Sequence, residues 1–342
     1  MKKNIFDTAV IVGHGSIGKV HHQHLFKISK NLLIVDPVVQ KIKNTNNVNQ
    51  ICNIDALDNS SSKNDLVVIS NWGPDHLTSM QMAVSKGFRQ FIIEKPMVTS
   101  MHELKLLTEL VKTKSLKVVV NQGWHYENLA EKINWLGGKF SLGNLHSIVT
   151  YGGARCLSTG GSHIIHLANM IFKSKPVMIS SNLNLDNINP RSSNLIYVEG
   201  NAFVKFESGS LSINYTNQST ISGETKIFWR DAIGTLKDTN LTIMRRSKKR
   251  KYRNIITRYG DPDLRLFSAD LTRNRSVTTK IIPPIYYALH DNSASNLLKD
   301  FNNHVISNEI LLCCLISNQT QKIVTFRERL PNKLARTSFK IS

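Results

Sequence analysis

Short, unbroken apolar runs alternate with helical periodicity along the first 120 residues. Thr8–Val12, Leu32–Asp36, Asp65–Ser70, Phe91–Ile93 and Leu116–Asn121 read as strands, with helices at Ile17–Ser29, His76–Lys86 and Met101–Lys112. Strands that are apolar throughout need cover on both faces. The alternation therefore predicts a doubly wound parallel sheet flanked by helices.

The pattern changes near Gly123. A helix at Glu127–Leu136 is followed by glycine breaks at Gly137, Gly138 and Gly143. Alternating stretches then occupy Leu145–Tyr151, Val177–Leu185, Asn194–Glu199, Asn201–Glu207, Ser210–Thr216 and Thr225–Trp229. Period two over neighbouring segments predicts a largely antiparallel sheet with one face buried. Helices are expected at Ser162–Phe172 and Ile306–Thr325, whereas Asp238–Thr279 is charged and shows no readable period. The expectation is an α/β chain with a dinucleotide-binding domain over 1–122 and an α+β domain over 123–342.

Composition narrows the class. A chain of 342 residues, 41% hydrophobic and 20% charged, is long enough for two cores. No apolar run approaches the ~20 residues that span a bilayer; the longest lies near Ile310–Ile316. Met1-Lys2-Lys3 and the apolar residues after it resemble a leader, but Asp7 interrupts them and a glycine motif follows, so a first strand is the better reading. Cys52, Cys156, Cys313 and Cys314 have no metal-ligand spacing, which favours reduced thiols, a cytoplasmic location and no bound metal. The net charge of +20 is dispersed except at Arg245–Arg253. That run reads as a solvated loop or edge strand, or as an attractor of phosphorylated substrate. Neither nucleic acid nor membrane is expected as a partner.

Gly13-His14-Gly15-Ser16-Ile17-Gly18 follows an apolar strand and opens a helical pattern, and Asp36 ends the next strand. Gly13 permits the tight turn, Gly15 lets backbone approach a pyrophosphate, and Gly18 lets helix pack on strand. The N–H groups at the helix start, Ser16 and Ile17 included, suit phosphate. Asp36 would accept from ribose hydroxyls and repel a 2′-phosphate, which favours NAD(H) over NADP(H). His21, His22 and His24 read as surface and packing residues of that helix. Glu94-Lys95-Pro96 follows the strand Phe91–Ile93, at the end of the sheet where ligands bind. Lys95 there would donate to a substrate oxygen, with Glu94 holding it in place.

In order, GHGSIG, Ser70-Asn71-Trp72-Gly73-Pro74-Asp75-His76, Glu94-Lys95-Pro96-Met97 and Gly160-Gly161-Ser162-His163 resemble the Gfo/Idh/MocA oxidoreductases over nearly the whole chain. The resemblance implies a Rossmann domain and a second domain with a large, mostly antiparallel open sheet that makes a homodimer or homotetramer. It implies cofactor contacts at Ser70, Asn71, Trp72 and His76, with Glu94 and Lys95 facing the nicotinamide end, and a catalytic Lys95 whose bond to Pro96 is commonly cis. It further implies that His163 handles the proton, where a neutral imidazole suits a general base. The family's acids are replaced by Thr159 and His166, and a threonine cannot be a carboxylate base. Trp124, Arg155 and His166 are candidate substrate contacts; Gln122, His125 and Tyr126 stand at the domain junction. The implied activity is NAD(H)-dependent hydride transfer at a hydroxyl or keto carbon of a sugar, cyclitol or nucleotide-linked sugar. Two other readings stay open: a glycosidase working by transient oxidation and elimination, separable by stoichiometric NADH formation, and a non-enzymatic NAD-binding regulator.

Overall fold

Branched apolar residues dominate the inner strands of the first sheet in the computed structural model, which describes residues 4–38, 48–60, 62–126, 128–186, 188–189, 192–246, 264–271 and 283–341. The chain divides into two compact units. Unit 1 takes residues 1–123, 278–309 and 330–342, and unit 2 takes 124–277 and 310–329. The chain thus returns twice to the first unit after leaving it.

In unit 1, β1 (Phe6–Val12), β2 (Ser29–Val35), β3 (Val48–Ile51), β4 (Leu66–Ile69), β5 (Gln90–Ile93) and β6 (Lys117–Val120) form a sheet in the order β3-β2-β1-β4-β5-β6. Every pairing is parallel. Between them run α1 (Ser16–Leu25), α2 (His76–Ser85) and α3 (Met101–Thr113). This is the doubly wound Rossmann order. Two expectations are corrected. The helix after the glycine loop stops at Leu25, and Ser29 already belongs to β2. A further strand, β3, makes Asp65–Ser70 the fourth strand rather than the third. Its four residues include Asn49 and Gln50 at the sheet edge, where one-sided burial leaves no continuous apolar run.

The late segments of unit 1 fasten the loop after β5. Asn308 Oδ1 accepts the Met97 N–H at 2.9 Å, and its amide donates to the Val98 carbonyl at 3.3 Å. The Thr99 carbonyl accepts the Phe339 N–H at 3.0 Å. Ile341 is buried, and its carbonyl lies 2.7 Å from where a Cβ on Gly73 would stand.

Unit 2 begins with α4 (Gly123–Tyr126) and α5 (Leu129–Lys139). The helix α5 runs through Gly137 and Gly138, where a break was expected. A Cβ on Gly137 would sit 2.8 Å from Trp229 Nε1, so this glycine serves packing and not termination. After β7 (Leu145–Gly153) come α6 (Ser162–Phe172), β8 (Pro176–Asn184), β9 (Ile188–Asn189), β10 (Ser192–Ile196), β11 (Glu199–Phe206) and β12 (Ser210–Thr216). They are followed by β13 (Thr225–Trp229), β14 (Ala232–Lys237), β15 (Asn240–Arg245), β16 (Leu264–Asp270) and, late in the chain, β17 (Val324–Thr325). A nine-stranded sheet has the order β16-β15-β14-β13-β7-β12-β11-β8-β17. Its pairings are antiparallel except β7 with β12. The expected strand Asn194–Glu199 divides between β10 and β11, and β15 and β16 fall where no period was legible.

Helices α7 (Pro283–Asp291), α8 (Ala294–Thr320) and α9 (Asn332–Arg336) complete the order. α8 starts twelve residues before the expected Ile306, and Val324–Thr325 is strand instead of its end. Asp300, Asn302 and Asn303, weak helix formers, hide its first half. Of the basic run Arg245–Arg253, residues 247–253 lie outside the described residues. Arg245 is buried, and its guanidinium donates to the Phe140 carbonyl at 3.0 Å, so this charge is structural.

Candidate active site

The glycine loop of unit 1 closes on itself. Gly13 has φ +90°, and a Cβ there would lie 2.5 Å from the Asn71 nitrogen. A Cβ on Gly18 would lie 2.1 Å from the Gly13 carbonyl oxygen. Ser70 donates its hydroxyl to the Val12 and Gly13 carbonyls at 3.1 and 2.8 Å, fastening the loop to the end of β4. At Gly15, by contrast, a Cβ would meet nothing within 4 Å. The loop is tight where it packs and open at Gly15, with Ser16 and Ile17 starting α1 beside it.

Asp36 follows β2. Its Oδ2 accepts the His14 N–H at 2.6 Å and its Oδ1 the Val38 N–H at 2.9 Å, so the carboxylate is fixed against the glycine loop. The Asn71 amide donates to Ser79 Oγ at 2.9 Å. His76 is buried between the Met97 and Asn71 carbonyls, at 3.2 and 3.1 Å. Burial pushes its pKa below the ordinary value against the opposing pull of those carbonyls, so it stays neutral and donates to one of them. Ser70, Asn71 and His76 thus brace the loop, whereas Trp72 is 44% exposed.

Glu94 and Lys95 follow β5, and the Lys95–Pro96 peptide is cis. Glu94 is buried. Its Oε1 accepts His21 Nε2–H at 2.8 Å and Asn121 Nδ2–H at 2.6 Å. Burial pushes its carboxyl up, but the His21 and Asn121 bonds and the Lys95 charge outweigh it, and the pKa ends below the usual carboxylate value. Reading the sequence missed His21, Asn121 and Tyr286, whose hydroxyl lies 2.6 Å from His21 Nδ1. One signal for His21 was present: Gly18, His21 and Leu25 recur on one face of α1, the face buried on the sheet.

In unit 2 a single π-helical turn, Leu157–Gly161, runs directly into α6. Such turns recur at functional sites. Thr159 sits on it, with its hydroxyl 3.4 Å from the Cys156 carbonyl, and Ser162 donates to the Thr159 carbonyl at 2.7 Å. His163 is half-buried, its ring centroid 5.8 Å from that of Trp124. His166, one turn on, is buried with Nε2 3.2 Å from His125 Nδ1. Arg155 is half-buried, and its charge faces the buried Tyr215, whose hydroxyl burial pushes up. Trp124, His125, His163 and His166 therefore form one cluster, and Arg155 stands by Tyr215.

Residues 8–122 match the family model described as an oxidoreductase family with an NAD-binding Rossmann fold, GFO_IDH_MocA. Over these residues of unit 1 the chain is similar to the Gfo/Idh/MocA oxidoreductases. No curated protein matches the sequence. Solved structures extend the likeness in fold over almost the whole chain. A scyllo-inositol dehydrogenase from Lactobacillus casei with bound NAD(H) and scyllo-inositol is 13% identical, with TM-score 0.64 over 94% of this chain and 100% of that one. A myo-inositol dehydrogenase from Corynebacterium glutamicum is 17% identical, with TM-score 0.60 over 95% and 100%. An oxidoreductase from Agrobacterium radiobacter in complex with NAD+, L-tartaric acid and magnesium is 11% identical, with TM-score 0.66 over 93% and 98%. Among the described residues, no helix is long and apolar enough to cross a membrane.

These residues of unit 1 fit the NAD that the matched family model describes. Space is left at Gly15 where a side chain would otherwise stand, the first turn of a helix opens beside it, and a fixed carboxylate ends β2. In unit 2, His166 carries a pH consequence. Burial, then the His125 and His163 charges, hold it well below its ordinary 6.5. The unfolded chain then binds a proton that the folded ring refuses. Stability is full above about pH 6.5 and falls as the pH drops below it. The urea midpoint should decline between pH 7 and pH 5, and less steeply in His166→Gln. Equal declines would remove His166 as the cause.

Proposed function

We propose that the chain is an NAD(H)-dependent dehydrogenase acting on a hydroxyl or keto carbon of a sugar, cyclitol or nucleotide-linked sugar. The observation that carries this reading is Lys95 at the C-terminal end of β5, next to a carboxylate clamped by two buried donors. Two inositol dehydrogenases among the similar folds support the cyclitol class. When bound, NAD+ supplies the hydride acceptor at its nicotinamide ring. Lys95 donates to the substrate oxygen and stabilises alkoxide character there. His163 takes the hydroxyl proton, Thr159 tunes that histidine, and Trp124, Arg155 and His166 bind the substrate's other groups. Screening cyclitols, free sugars and nucleotide sugars with NAD+ at 340 nm tests this directly. No turnover with any of the three classes would refute it.

Asp36 sets the cofactor preference in this proposal. NAD(H) should bind more tightly than NADP(H) in calorimetric titration, and Asp36→Ser should weaken NAD(H) and narrow the gap. Because Asp36 also holds the His14 N–H, the loss of NAD(H) affinity should exceed that of one ribose contact. Equal wild-type affinities would end this assignment. A homodimer or homotetramer built through the open sheet, which exposes Tyr151, Val177 and Leu264 on its strands, should appear in light scattering. A monomer at micromolar concentration would exclude it.

A further inference from the structure

We propose that Tyr286 and His21 form a relay that holds Glu94 as the counter-charge of Lys95, making both positioning residues. The inference rests on the reading of Lys95 as the donor to the substrate oxygen. All four residues belong to unit 1, but they come from α7, α1 and the loop after β5.

The relay has a direction. Tyr286 and His21 are 1% and 0% exposed. Burial, and then the Glu94 charge, push the Tyr286 hydroxyl well above its ordinary range, so it keeps its proton and donates to His21 Nδ1 at 2.6 Å. That fixes the imidazole proton on Nε2, where it is donated to Glu94 Oε1 at 2.8 Å. Asn121 gives the same oxygen a second donor. A carboxylate receiving two donors keeps its charge, and a negative charge beside an ammonium favours the protonated amine. The groups facing this carboxylate are His21 of α1, Asn121 after β6, Tyr286 of α7, His76 of α2 and Lys95 itself. His24 also lies beside the Tyr286 ring, 6.4 Å between centroids. Without the hydroxyl, Glu94 alone holds the Nε2–H tautomer, and His21 Nδ1 is left in a buried site without its donor. The imidazole is then less firmly oriented toward Glu94, which weakens one of the carboxylate's two donors and with it part of the charge that keeps Lys95 protonated.

The test reads Lys95 without substrate. Competitive acetylation with acetic anhydride across a pH series, followed by mass spectrometry of the peptide containing residue 95, gives the midpoint of its ionisation. In Tyr286→Phe, which keeps the ring packing, the midpoint should fall by about 0.5–1 pH unit. His21→Leu should shift it at least as far, and His21→Gln, which retains an amide donor for Glu94, should restore most of it. An unmoved midpoint in Tyr286→Phe overturns the relay, and that variant decides alone if His21→Leu does not fold. The role of Lys95 is read separately, from turnover of Lys95→Ala. An active Lys95→Ala enzyme refutes the catalytic reading, whereas a shifted midpoint still establishes the relay.

Discussion

Lys95→Ala is expected to keep NAD(H) affinity and lose turnover by about 10²–10³ or more, the usual cost of deleting a donor aimed at developing charge. The backbone around it has reason to stay in place. Asn308 holds the Met97 N–H and the Val98 carbonyl, and Phe339 holds the Thr99 carbonyl, so the substitution removes a charge from a fastened loop. Lys95→Arg should rescue little, because a planar guanidinium does not replace a compact ammonium. His163→Ala should cost about 10²–10⁴ in turnover. If both groups serve one reaction, the double variant should be little worse than the poorer single one. NADH fluorescence titration and steady-state rates on the best substrate of the screen decide it. Unchanged turnover in Lys95→Ala would take the residue out of the chemistry.

The second large effect separates two glycines that one motif treats alike. Gly18→Ala brings a Cβ to 2.1 Å from the Gly13 carbonyl oxygen, a backbone atom that cannot swing aside. The helix gains up to ~1 kcal/mol of intrinsic propensity, but overpacking on this scale costs about 1–3 kcal/mol or more. The cofactor-free protein should therefore melt several degrees lower and bind NAD(H) poorly. Gly15→Ala meets nothing within 4 Å, so the cofactor-free protein should lose at most about 1 kcal/mol, at the helix cap. NAD(H) binding should nevertheless fall sharply, because the added methyl occupies the space left for the pyrophosphate. Calorimetric melting with and without NAD(H) gives both halves. Equal melting losses for the two variants would mean that Gly15 is held by packing as well.

Much of unit 1 was legible because its strands are covered on both faces and so read as continuous apolar runs. The edge strand β3 lacks that cover, and its Asn49 and Gln50 gave nothing to find. In unit 2 the alternation located β7, β8 and β11–β13, but Gly137 misled: a glycine that admits the Trp229 ring looks in sequence like one that ends a helix. The motifs revealed the residues that a ligand would touch. They did not reveal Tyr286, 192 residues after Glu94, because a buried tyrosine on an apolar helix face carries no local mark of the imidazole it faces. Contacts made across such separations are fixed by topology and not by neighbours in the chain.

The return of the late segments to unit 1 sets an order for biosynthesis. The Rossmann strands leave the ribosome first, yet Tyr286, Asn308, Phe339 and Ile341 are made about 165–220 residues after β6. At roughly 5–20 residues per second, the sheet waits about 10–45 s for its final pieces. Through that interval His21 and Glu94 lack their tyrosine and the loop after Lys95 lacks its fastenings. The nascent cofactor unit is then a natural client for chaperones, and a fragment cut after residue 122 should be recovered as a protease-sensitive, aggregating species.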